Sequence, residues 1–265
     1  MSPAQLSRLR PQISALSSLF EDPDSYIKSL SILLEKYQSD IGISADGISP
    51  YTLVKKFNVP EIVISQLGVS FNHLVKTYSI HAIEIAGKLW EKEQLEYKLL
   101  SLKILSKLPV ESLDVYFDHI KNYIDADTDF YIFSSILDAS RSNPSILGSS
   151  TWLNIIFEWA SAQEARLKKI GIKAIREVIE KKEQYPPPQL MKRITPIFLS
   201  PSIAINGELY ELVKVLAKLS INETTAFLIS MGMINPNPDI SKFLRKCAPL
   251  FPEALAEKVK IAGDN

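Results

Sequence analysis

The sequence predicts an all-α protein, a HEAT-like or armadillo-like α-solenoid of antiparallel helix pairs. Three observations lead there. Apolar residues recur at three- and four-residue spacings along 265 residues without sustained alternation, which is the period of helices and not of strands. Glycine occurs only nine times, while most of the sixteen prolines fall between apolar blocks, where proline opens a helix without breaking one. Paired blocks recur at roughly 35 to 45 residues, the period of helical repeats. An irregular helical bundle is the alternative, because the blocks share spacing but no repeated motif.

Proline punctuation and apolar period together place about fourteen helices. Their expected spans are 4–20, 23–40, 50–57, 60–69, 71–89, 91–107, 111–124, 129–142, 150–161, 163–183, 187–199, 207–219, 222–232 and 238–262, the last broken at Pro249. The block around Leu95, Leu99, Leu102, Ile104 and Leu105 has a wide apolar arc, as in a helix buried between neighbours. Trp90, Leu99, Leu102, Trp159, Ile170 and Ala174 are expected on packed faces.

Composition narrows the function classes. Hydrophobic residues make up 46% and aromatics 9%, enough for a continuous core and too apolar for disorder. The single cysteine, Cys247, excludes an intrachain disulfide framework and a cysteine-based zinc site. No apolar run reaches the length of a bilayer span, and the first twenty residues lack a signal-peptide core. A cytoplasmic protein without membrane attachment is expected. No phosphate-binding glycine loop, nucleophile elbow or His-Glu-x-x-His motif is present. His73, His81 and His119 have no carboxylates at ligand spacing, so neither metal nor cofactor is expected. Asn222-Glu223-Thr224 fits a glycosylation sequon but reads better as a helix cap.

Charge is distributed unevenly although it cancels overall. Residues 1–150 hold 14 basic and 18 acidic side chains, and residues 151–265 hold 16 and 12. At 100° per residue, Arg166, Lys169, Lys173 and Arg176 fall within about 80° of one another on one helix. Leu167, Ile170, Ala174 and Val178 form the apolar stripe of the same helix. Such a row of cations is spaced to follow a phosphate backbone, and it also suits an ordinary solvated face.

The block Leu89-Trp90-Glu91-Lys92-Glu93-Gln94-Leu95-Glu96 with its aliphatic continuation to Leu105 resembles the DNA alkylation repair family, the AlkD-like HEAT-repeat glycosylases. Lys55-Lys56-Phe57-Asn58-Val59-Pro60 is similar to a basic-aromatic-Val-Pro stretch upstream of that block. Trp159-Ala160-Ser161, followed by the helix with Lys169 and Gly171-Ile172, is similar to the family's Trp-Ala/Ser segment. The resemblance implies a single helical-repeat domain with repeats over 49–232, a helical cap over 1–48 and a second over 233–265. It also implies a monomer that holds the backbone of double-stranded DNA. In that family a Trp-x-x-x-Asp segment and a later Trp surround the lesion, the carboxylate stabilising the positive charge that develops on the sugar.

The chain departs from the family at that point. Phe130 stands in the place of the indole, Ser134 in that of the acid, and Lys214 in that of the later Trp. Asp127 and Asp129 precede the segment, as N-caps or, with a shifted register, as the missing acid. The expectation is therefore a DNA-binding protein with weak or absent alkylpurine glycosylase activity. The alternative is a non-enzymatic protein–protein interaction scaffold, whose basic stripe meets an acidic protein partner.

Overall fold

The structure, a computed structural model, describes residues 3–38, 55–125, 127–183 and 185–264. It is all-helical, with no strand among the described residues. Fifteen α-helices are described: α1 (Pro3–Ser17), α2 (Pro23–Lys36), α3 (Glu61–Thr77), α4 (Ser79–Trp90), α5 (Leu95–Leu105), α6 (Leu113–Tyr123), α7 (Phe130–Ser142), α8 (Pro144–Leu147), α9 (Ser150–Ala160), α10 (Ala165–Lys182), α11 (Pro188–Phe198), α12 (Asn206–Leu219), α13 (Ile221–Ile234), α14 (Pro238–Cys247) and α15 (Glu253–Asp264). The helix starts follow the punctuation. Pro23, Pro144, Pro188 and Pro238 occupy the first turns of α2, α8, α11 and α14. The side chains of Asp22, Asp129, Asn143, Ser149 and Asn237 accept bonds from the first exposed amides of their helices. The expected break at Pro249 appears as a 3-10 turn, Ala248–Leu250, between α14 and α15.

Two boundaries differ from the sequence expectation. The break expected after residue 69 lies instead at Tyr78, and α3 runs through Gly68, which packs beside the Lys103 stem. Residues 55–60 are not the end of a 50–57 helix, and 50–54 lie outside the described residues. The amides of Phe57 and Val59 bond to the buried Glu96 carboxylate at 3.0 and 3.4 Å, and Leu95 N–H donates to the Lys55 carbonyl. These bonds, with Asn58 in the left-handed region (φ 55°), hold the segment extended across the start of α5. At the sequon, Ser220 holds the N-cap position of α13 without a side-chain bond, and Asn222 lies inside the first turn.

The chain divides into two compact units, Met1–Gly148 and Ser149–Asn265. In the first, α1 packs on α3, α3 on α5 and α5 on α7, while α2 packs on α4 and α4 on α5. The helix α5 touches α3, α4, α6 and α7, and Leu100, Leu102 and Ile104 are fully buried, as its wide apolar arc requires. In the second unit α9 packs on α10, α10 on α12, and α12 on α13 and α14, with α15 against α13 and α14. The α9–α10 approach depends on Gly171: a Cβ there would lie 2.2 Å from the Ala160 nitrogen. Trp90, Leu102, Trp159 and Ala174 are buried as expected, whereas Leu99 and Ile170 are only half-buried.

Candidate functional site

In the second unit α10, α12 and α14 lie side by side, and their uncovered faces carry cations. On α10 Lys169 is exposed, and Arg166 and Lys173 are half-buried; Lys169 and Lys173 make no ion pair among the described residues. Arg176 is turned toward the neighbouring helix. Its Nη1 lies 3.9 Å from Glu208 Oε2 of α12, with only 21% of the side chain exposed. Three of the four expected cations therefore share the outer stripe, and the fourth is part of the α10–α12 seam. Lys214 on α12 bonds both Glu211 carboxylate oxygens, at 3.1 and 3.0 Å. The ring of Tyr210 lies 5.9 Å from the Lys214 ammonium and 5.2 Å from that of Lys246 on α14. Tyr210 and Lys246 escaped sequence reading because the helices that bring them together are far apart in the chain. Helix period places a residue on its own helix and says nothing about its neighbour.

In the first unit Ser134 lines a groove of about 430 Å³ between α3, α5, α7 and the extended segment. Two of the stretches that suggested a family likeness meet here, Lys56 and Val59 from one and Leu95 and Glu96 from the other, together with Tyr131 and Ser134 of the segment where the chain departs from the family. The Lys56 ammonium stands 4.4 Å from the Tyr131 ring centroid, a cation–π contact at the groove mouth. Phe130 and Tyr131 are 54% and 50% exposed, unusual for aromatics at the start of a packed helix. The carboxylates that line the groove with Ser134 are Glu61, Glu96 and Asp138. Glu61 and Asp138 were not singled out from the sequence.

Asp129 has another task. It is 3% exposed, and its Oδ1 accepts from the Tyr131 amide at 2.8 Å, which caps α7. Asp127 is exposed in the preceding turn, its amide donating to Asp125 Oδ1 at 3.0 Å. Phe130 and Ser134 belong to the first unit and Lys214 to the second.

A further cluster joins α4, α5 and α6. The His119 ring meets Trp90 edge-on at 4.4 Å and lies 4.7 Å from Tyr123, while Lys98 stands over Trp90 at 4.7 Å. Burial, helped by the Lys98 charge, pulls the His119 pKa down to about 4. A neutral imidazole between aromatic rings is packing material at ordinary pH, not a charged contact. No His/Cys/Asp/Glu group able to hold a metal ion occurs among the described residues, and no described helix is long and apolar enough to cross a membrane. Compared with known proteins, the chain matches no family model, and no curated protein is significantly similar to it.

Proposed function

We propose that this chain is a DNA-binding HEAT-like protein of the DNA alkylation repair type, holding the phosphate backbone of duplex DNA against the outer face of α10. The supporting observation is the pair Lys169 and Lys173, which make no ion pair among the described residues, with Arg166 on the same helix and Lys246 on α14, beyond α12. Lys169 and Lys173 keep their charge available to phosphate, and each phosphate neutralised releases bound counterions. Within each unit the helices touch mainly their next or next-but-one neighbours, which supports the reading of stacked antiparallel pairs in a solenoid. The protein so read is cytoplasmic and monomeric and uses no cofactor.

Glycosylase chemistry is weak or lost in this reading. Ser134 offers a hydroxyl where a carboxylate would stabilise an oxocarbenium-like centre, and Asp129 is buried at the start of α7 with Oδ1 engaged in capping. One observation favours the scaffold alternative: Ile203, Met233 and Ile234 are 96%, 73% and 59% exposed in the second unit. Charge reversal separates the two readings. The pair Lys169→Glu and Lys173→Glu, measured by fluorescence anisotropy on a short duplex, abolishes binding while leaving the circular dichroism spectrum unchanged. Duplex affinity that survives both substitutions would remove α10 from the interface.

A further inference from the structure

The groove of the first unit continues past Ser134 along α3, α5 and α7 into a second hollow of about 280 Å³, and both are lined by Ser65, Lys103, Ser135 and Asp138. Its far end is basic. Lys103 in the last turn of α5 and Lys107 in the turn that follows it are both half-buried and both line it. Lys107 Nζ donates to Asn72 Oδ1 at 2.5 Å, and neither lysine makes an ion pair among the described residues. The acid on the opposite wall, Asp138, is engaged by Arg141 through Oδ1. Burial and the neighbouring Lys103 ammonium together pull the Lys107 pKa below its usual range. The Lys103 charge acts on Lys107, and an anion seated between the two ammonium groups would relieve that repulsion.

The remainder of the groove suggests what that anion belongs to. The middle carries two hydroxyls, Ser65 on α3 and Ser135 on α7, with Asp138 one turn along α7 from Ser135, a pattern suited to a sugar diol, since carboxylates accept from ribose hydroxyls. The near end sets Ile64, Leu95 and Leu99 beside the Lys56–Tyr131 pair, with Asn58, Glu61 and Glu96 as its polar edge. We propose that this groove binds a nucleoside monophosphate, with the phosphate on Lys103, Lys107 and Asn72, the ribose at Ser135 and Asp138, and the base over Ile64 and Leu99. The site lies wholly within the first unit and is independent of the DNA-binding reading of α10.

Isothermal titration of the full chain with adenosine 5′-monophosphate, adenosine and inorganic phosphate tests the proposal. The monophosphate binds at least about tenfold more tightly than either fragment, because head and body are held by different parts of one groove. Lys103→Gln and Lys107→Gln each lower its affinity by about tenfold or more, as loss of a charge-assisted contact does. Ser135→Leu, at a half-buried groove position, blocks binding with helicity unchanged and covers the case in which Lys107→Gln destabilises the fold. The pair Lys169→Glu and Lys173→Glu leaves monophosphate binding as it was, whatever happens to DNA. No heat at millimolar monophosphate, phosphate binding as tight as the nucleotide, or nucleotide binding unaffected by both glutamine variants would overturn the site. So would a loss of duplex affinity in those variants in place of nucleotide affinity, which would assign the lysines to a polymer backbone.

Discussion

Individual side chains in this protein are governed by burial more than by their formal chemistry. Cys247 has no exposed surface, and burial pushes its thiol up to about 12, so the nucleophilic thiolate is absent at neutral pH. Iodoacetamide should leave the native protein unmodified and label it fully in urea, as read by mass spectrometry. His119 gives a pH signature. Its pKa falls from 6.5 to about 4 on folding, so the unfolded chain binds the proton more readily. Stability is fully present above about pH 6.5 and declines as pH falls toward about 4, by on the order of 2 kcal/mol for a partly exposed group. Thermal melts across that range should show the decline, and His119→Phe should flatten it. Asp129 separates capping from catalysis. Asp129→Ala costs about 1–2 kcal/mol in stability, whereas Asp129→Asn, an equally good cap, costs much less. Excision of methylated purines from duplex should be slow or undetectable in the wild type. Ser134→Asp should raise it, by as much as about two to three orders of magnitude if a single electrostatic contact is what is missing.

At the scale of elements, two glycines in helices respond oppositely to the same substitution. Gly171→Ala drives a methyl into the Ala160 backbone, which cannot move aside as a flexible side chain would, and costs about 2–4 kcal/mol by separating α9 from α10. Gly87→Ala on the exposed side of α4 meets nothing within 4 Å and stabilises by about 0.5–1 kcal/mol through the unfolded chain. Urea melts of the two variants check both signs. Sequence could not separate these positions, because each is a glycine within a helical apolar pattern. It did reveal most helix starts, since proline and capping side chains act locally. It failed at 55–60, where the conformation is imposed by Glu96, nearly forty residues along the chain. It also misjudged Arg176, which angular arithmetic placed with the outer cations and Glu208 draws into a seam. Lys103 and Lys107 escaped notice for a related reason. They read as polar interruptions of an apolar block, and only α3 and α7 turn them into one wall of a groove.

For the whole molecule, zero net charge conceals a division that coincides with the two units. The acidic excess lies before residue 149 and the basic excess after it. A neutral total excludes a general polycation and leaves room for one basic face. Because Lys169 and Lys173 of α10 define that face, the salt dependence of duplex affinity tests the central claim most directly. With three or four phosphates neutralised, the logarithm of the affinity should fall linearly with the logarithm of salt, at a slope of about −2.7 to −3.6. The slope should become shallower when Lys169 is changed to Gln. Affinity that does not change with salt, or no duplex binding at low ionic strength, would contradict the DNA reading.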